Sequence, residues 1–381
     1  MNKKVLNEIF ARYIERFEYT NGKDHAEYYK WQVCYEYPKL MQNALAADEN
    51  SFSKELNKVK KCTFNIIDSY TQPFAGLVEL AKKEPATVKQ MFIDLYSDDH
   101  GNLSIQMKKI SDFFNRSNKL LKECSLSGYL YKQNSHSVSS YLFLNDPDNH
   151  YMYKAVQSRR FADCIDFYDD WGSGDCIKLD VYNRMCDELV SEIKNNEELL
   201  KCAGRRFDGS LKMEGGKLHP DTEFHILAFD IIYCSTVYDL YDGVNYVKRD
   251  SKEKIAYQIE KAEADTALEA YSKARKDAEA YKNAVSCFTA MIQAGDVITH
   301  KKYGNGKVES IDPDYITATF AKNTAKISLP VGIANGILTV DKPEFADSVK
   351  KYSGILKKYD SIKKNLEYTG RMLEKYEEYI G

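Results

Sequence analysis

The sequence predicts a mostly helical α+β fold in three parts. A helical region spans residues 1–126, an α+β region spans 127–250, and an antiparallel helical hairpin, 251–294 with 342–381, carries a small β-barrel, 295–341, at its tip. Three observations predict this. Two long segments repeat apolar side chains at three- and four-residue steps, the spacing of a helix seam. Between them lie short β-branched and aromatic runs punctuated by glycine. Ahead of both, helical periodicity gives way near residue 127 to segments of strand-like composition.

In the first part, Val5, Ile9, Tyr13, Ile14 and Phe17 share one helical face. Tyr28, Trp31 and Tyr35 predict a second helix ending near Pro38, because proline removes a helical donor. A third runs from Phe52 to about Tyr70 and closes at Pro73. Pro85 fits the first turn of a helix through Val88, Met91, Phe92 and Leu95. Asp98–Asn102 is a turn, and Leu103–Cys124 is helical again. In the second part, residues 128–131, 138–144 and 151–156 read as strands, with Asn145–Asp148 as a turn. Helical spacing resumes from Arg159 to Phe167 and from Leu179 to Leu200. The apolar run from Phe224 to Cys234 fits helix or strand, since periodicity does not separate them.

In the third part, stepping by three and four gives Tyr257, Glu260, Ala264, Ala267, Tyr271, Ala274, Ala278, Tyr281, Val285, Phe288 and Ile292, one charged residue among eleven. Phe345, Val349, Tyr352, Ile355, Tyr359, Ile362, Leu366, Leu373, Tyr376 and Ile380 form the answering stripe, with a gap near Gly370. A helix of some 40 residues spans ~60 Å, enough to hold a small module clear of the rest. The runs 297–299, 307–311, 315–320, 325–329 and 337–340, five short strands in under fifty residues, fit a small SH3-like barrel.

Composition narrows the function classes. The net charge of −3 supplies no global basic field, so nucleic-acid contact has to come from local patches. Tyrosine, at 29 residues against 2 Trp, suits half-wet helix seams, which are able to pair between chains as well as within one, so a homo-oligomer stays open. The nine cysteines include no Cys-x-x-Cys pair, which together with a charged, amphipathic start predicts reduced thiols in a cytoplasmic protein. No run is long and apolar enough for a membrane span, so no membrane partner is expected. There is no Gly-x-x-x-x-Gly-Lys-Ser/Thr loop and no Gly-x-Ser-x-Gly elbow, and no cofactor or metal is expected.

The segment Gly295–Val308, in which Gly295-Asp296-x-Ile298 leads to His300-x-x-Tyr303-Gly304 and a Gly-x-Gly turn, resembles the Tudor-like C-terminal domain of UvrD-type helicases and, more loosely, the barrel of CarD-type transcription factors. The resemblance covers roughly 45 residues and implies contact with RNA polymerase or nucleic acid through His300, Lys301, Lys302, Tyr303 and Lys307. Residues 127–240 resemble, more weakly, the specificity regions of McrB-like modification-dependent restriction systems. That likeness implies DNA rather than RNA, a base held between aromatic rings, a link to bacterial or phage defence, and Tyr151, Tyr153, Lys154, Arg159, Arg160 and Trp171 as contact residues. Lys108, Lys109 and Arg116, with Lys119 and Lys122, mark one predicted helix as a phosphate-tracking face.

The expectation is therefore a non-enzymatic protein that binds nucleic acid or a nucleic-acid-processing assembly. One alternative is a protein–protein adaptor docking through the barrel. Another is a metal-dependent nuclease built on Asp166, Asp169, Asp170 and Asp175. For those aspartates a solvated, helix-capping loop is the simpler reading, and for His219, Asp221 and His225 a helix cap beside a core histidine is simpler than a metal site.

Overall fold

The structure, a computed structural model, describes residues 1–64, 66–173, 177–312 and 314–379. The chain divides into two compact units, Met1–Ser251 and Lys252–Gly381.

The first unit is built from helices α1 (Lys3–Asn21), α2 (Tyr29–Ala46), α3 (Glu49–Cys62), α4 (Pro73–Lys83), α5 (Pro85–Leu95), α6 (Leu103–Glu123), α7 (Ser135–Asn145), α8 (Ala155–Cys164), α9 (Leu179–Lys194), α10 (Glu197–Gly204) and α11 (His225–Val237). A single apolar cluster runs from Val5 to Val244, so residues on both sides of 126/127 share one core.

Several expectations are corrected here. Residues 138–144, expected as a strand, lie in α7, and 155–156 open α8; the described residues of 127–250 contain no strand. The reason is burial on every side. Ser135 and Ser137–Leu144 are all buried, which erases the 3.6-residue period that identifies a helix. Helix α7 is instead specified by its start, where Asn134 accepts from Ser137 N and Ser137 Oγ accepts from Asn134 N, a reciprocal cap. Helix α2 continues through Pro38, because Trp31, Cys34 and Tyr37 before it and Met41 and Ala44 after it are buried on one seam. Pro73 opens α4 rather than closing its predecessor, and Asp68 accepts from Phe74 N and Ala75 N at that helix start. The ambiguous run at 224–234 is helical and, like α7, surrounded by protein.

The second unit comprises α12 (Ser251–Met291), β1 (Val297–His300), β2 (Gly304–Ile311), β3 (Tyr315–Phe320), β4 (Thr324–Ser328), α13 (Leu329–Ala334), β5 (Leu338–Val340), α14 (Pro343–Leu356), α15 (Tyr359–Glu374) and a 3₁₀ turn, Glu377–Tyr379. The strands form one antiparallel sheet in the order β4-β3-β2-β1-β5. Its inner face, Ile298, Val308, Ile316, Ala318, Phe320 and Ile327, packs in one cluster with Phe288 of α12 and Phe345 and Leu356 of α14.

Helix α12 and the returning helices run antiparallel. Phe288 meets Phe345 and Tyr352, Tyr281 meets Tyr359, Tyr376 donates to Glu263, and Tyr257 meets Tyr379. The return is broken at Lys357–Lys358 and not at Gly370. Gly370 lies inside α15, where a Cβ would make ordinary contact with the Tyr271 ring at 3.6 Å. The expected seam residue Ile380 lies outside the described residues. No helix among the described residues is long and apolar enough to cross a membrane.

Candidate nucleic-acid interface

The alternation of β1 decides what its resembling segment can offer. Ile298 and His300 point inward while Val297 and Thr299 point outward. His300 is only 8% exposed; its Nδ1 accepts from Lys302 N at 3.1 Å and Tyr303 N at 3.3 Å. Its ring stacks on Tyr303 at 4.6 Å and meets Phe320 edge-on. His300, expected as a contact residue, therefore organises the β1–β2 turn from inside, and Tyr303 is half-buried against Phe320. The side chains that this turn exposes are Lys301 and Lys302.

A meander places its turns alternately at opposite ends of the sheet. The β1–β2 turn (301–303), the β3–β4 turn (321–323) and the approach to β5 share one end, tied by Lys301 N donating to Ile337 O. That end carries Lys301, Lys302 and Lys322, with Lys307 on the outer face of β2, three residues from its start. The opposite end carries Asp296, Asp312, Asp314 and Asp341, and there Leu329 N donates to Asp314 O. The cations near the acidic end are consumed by it. Lys342 Nζ donates to Asp296 and to Met291 O, both at 2.7 Å, and Lys326 pairs with Asp312 at 3.2 Å. Donation from Lys342 holds the Asp296 carboxyl below its ordinary range. Among the described residues, Lys301, Lys302, Lys307 and Lys322 have no carboxylate partner. The two lysine-bearing turns are two strand spacings apart, about 10 Å, which spans roughly three phosphates at 3.4 Å per strand step.

The expected basic face of α6 differs. Lys108 pairs with Asp112, Lys109 with Asp99 at 3.7 Å, Arg116 with Asp94 at 2.6 Å and Lys119 with Glu123 at 3.6 Å. These four cations each have a neighbouring anion, with Lys122 the exception among the described residues, so most of the stripe read from sequence is a set of local ion pairs rather than a phosphate track.

The expected aromatic cage is not brought together on a surface. Tyr153 and Trp171 are each 2% exposed and hydrogen-bonded to one another, Trp171 Nε1 to Tyr153 Oη at 3.1 Å, within a ring cluster that includes Tyr182. No base can enter between them, because strand-like spacing gave way to a packed helical core. Tyr151 stacks on His225 with ring centres 4.0 Å apart and donates to Asp187. Arg159 lies over Trp171 and donates to Gly172 O, and Arg160 pairs with Asp239. Lys154 is set apart from these, half-buried with its Nζ on the Ile66 carbonyl.

No family of known proteins, no curated protein and no solved structure matches this chain.

Among its described residues, the acidic loop brings no set of three ligands together. Asp166 takes Arg249, Tyr168 and Asn2, Asp169 takes Arg184, and Asp170 accepts from Gly172 N, while Asp175 lies outside the described residues. Each of these described carboxylates thus faces its own donor. Asp221 accepts from Ile226 N, Leu227 N and Trp31 Nε1 and so caps α11, with His219 Nδ1 accepting from its backbone.

Sequence reasoning missed two groups. Lys322 stood alone in a turn and gained meaning only from strand order. The buried cluster of Lys30, Arg206, Asp230 and Tyr13 has a signal that could have found it: Asp230 is the charged residue inside the apolar run 224–234. Among the described residues, Glu27, Asp230 and Cys234 are the His, Cys, Asp or Glu side chains close enough together to hold a metal. Lys30 Nζ already sits against Asp230, 2.9 Å from Glu27 and 4.0 Å from Cys234 Sγ, so the chain's own ammonium fills the cation position.

Proposed function

We propose that the second unit is an SH3-like barrel on a helical hairpin, and that it binds nucleic acid non-enzymatically through the lysine-bearing end of its sheet. The observation that carries this reading is the segregation of charge along the strands. Among the described residues, Lys301, Lys302 and Lys322 project from neighbouring turns without carboxylate partners, at the end away from α12 and α14, while Lys326 and Lys342 near the other end pair with Asp312 and Asp296. An unpaired cluster keeps its cations available for phosphates, and their counterion release supplies affinity without base contacts. The resemblance of 295–308 to Tudor-like barrels points the same way, and DNA is the nucleic acid that the second resemblance favours.

Fluorescence anisotropy with single-stranded and duplex DNA and with RNA, over a salt series, tests this. Four neutralised phosphates give a slope of log K against log salt near −3 for a single strand, about a 50-fold loss from 50 to 200 mM salt. Replacing Lys301, Lys302 and Lys322 together with alanine is expected to reduce the slope by about 2. Absence of any salt-sensitive binding would overturn the reading and leave the sheet to a protein partner, as in the adaptor alternative.

A further inference from the structure

A buried ammonium usually meets a carboxylate, because an uncompensated charge costs several kcal/mol. Lys154 does not. This half-buried side chain lines a cavity of about 340 Å³ in the first unit, and among the described residues its Nζ bonds the Ile66 carbonyl and meets no carboxylate. Burial, then the field of Lys30, pushes its pKa down to about 8, with no anion acting in the other direction. Across the same cavity stands His136, whose Nε2 is buried without a hydrogen-bond partner. Burial, then Lys154, pushes the His136 pKa down to about 4, so at neutral pH its ring is uncharged. The cavity is polar elsewhere too, with Asn134 and Ser137 at the start of α7.

The third wall is the first turn of α8. Ala155, Val156 and Gln157 line the cavity, and no side chain caps that helix start. Its first N–H groups have no intrahelical acceptor and carry the positive end of the helix dipole. Lys154, the uncapped start of α8 and His136 thus line one space. The arrangement calls for a ligand with negative oxygens for Lys154 and the start of α8.

We propose that this cavity binds a phosphate group, as inorganic phosphate or as the phosphate of a small monoester. Its volume is at the small end of ligand pockets, which suits a phosphate with a modest substituent. The proposal uses first-unit residues alone, so its failure would leave the reading of the sheet untouched.

Calorimetry on the full chain in phosphate-free buffer, with inorganic phosphate in one arm and a nucleoside monophosphate in the other, tests it. Saturable binding in the millimolar range or tighter in at least one arm is expected. Lys154→Met should weaken it at least about tenfold, the loss of one charge-assisted bond, whereas Lys108→Ala on α6 should leave it unchanged. Tighter binding in the monoester arm identifies a substituted ligand, and equal binding identifies phosphate itself; either supports the site. Should Lys154→Met fail to fold, His136→Phe carries the same expectation. No binding up to about 10 mM in either arm, or equal loss on Lys108→Ala, overturns the proposal.

Discussion

Asp230→Asn changes few atoms and is expected to be among the most damaging substitutions in the first unit. Asp230 is fully buried on α11 and accepts from Lys30, Arg206, Tyr13 and Cys234. Two cations, Lys30 and Arg206, and two carboxylates, Asp230 and Glu27, balance in that space. Burial alone would raise the Asp230 carboxyl; the Lys30 and Arg206 charges reverse this and hold it below its ordinary value. Asparagine keeps the shape but leaves one buried positive charge uncompensated, at a cost of about 3–5 kcal/mol. The cluster has little slack to absorb this, since Arg206 Nη1 has no acceptor and Glu27 Oε2, though near Lys30, is off its donor direction. For a unit of this size the cost corresponds to a fall of about 6–20 °C in melting midpoint. The assay is specific, because both tryptophans, Trp31 and Trp171, belong to the first unit and Arg206 lies 4.1 Å over the Trp31 ring. Tryptophan fluorescence in urea therefore follows this unit alone. Because the folded carboxyl is held low, its contribution is present above about pH 4 and is lost as pH falls through the lowered value. Adding Lys30→Met to Asp230→Leu removes one charge of each sign and should recover a substantial part of the loss. A shift under about 1 kcal/mol for Asp230→Asn, or a double variant worse than the two singles summed, would refute the charge-balance reasoning.

Four further outcomes are expected. Lys154 titrates near 8 in the folded chain and near 10.4 unfolded, so its penalty is full below pH 8 and lifts as pH rises. In phosphate-free buffer, Lys154→Met should thus exceed the parent in stability by up to about 3 kcal/mol at pH 7, with the gap closing by about pH 10 in urea titrations. Gly306→Val should destabilise the sheet by about 2 kcal/mol or more in far-UV circular dichroism without moving the tryptophan signal, because a Cβ at Gly306 would lie 2.5 Å from the Phe320 ring. Asn134→Ala should cost about 1 kcal/mol in tryptophan-detected unfolding through loss of the α7 cap. The triple lysine variant of the sheet should keep the parent's stability to within about 0.5 kcal/mol while its salt slope falls by about 2, since none of the three side chains is buried.

The elements legible in the sequence were those with one wet face. Helices α1, α5 and α6, the long α12 and the five strands keep a polar side, so their periods survive and their limits were read to within a few residues, whereas the helix expected over 179–200 is two, α9 and α10, parted at Asn195–Asn196. Helices α7 and α11 lie inside the core, where neighbours on every side replace the pattern with uninterrupted burial. There only local chemistry still speaks: the Asn134–Ser137 reciprocal cap and the Asp221 cap mark helix starts that periodicity cannot. The same loss misdirected the reading of Tyr153 and Trp171. Aromatic rings near basic residues have one composition whether they close a core or open a cage, and only the depth of Tyr182 beside them decides.

The charged residues of the second unit obey a different logic, because a meander converts sequence order into position. Going along the chain, the sheet is entered past Asp296, turns at Lys301 and Lys302, turns at Asp312 and Asp314, turns at Lys322, and is left past Asp341. Each reversal changes both the end of the sheet and the sign of the charge. Read as composition, these residues nearly cancel and argue against a polyanion partner. Read through the strand order, the aspartates gather at one end, where Lys326 pairs with Asp312 and Lys342 with Asp296, and the turn lysines gather at the other, where the one nearby carboxylate among the described residues, Glu309, is hydrogen-bonded by Thr319. A near-zero sum over this segment is therefore no argument against phosphate binding: the four aspartates that dominate it stand a strand length away, where their field on the lysine turns is weakened by distance and by salt.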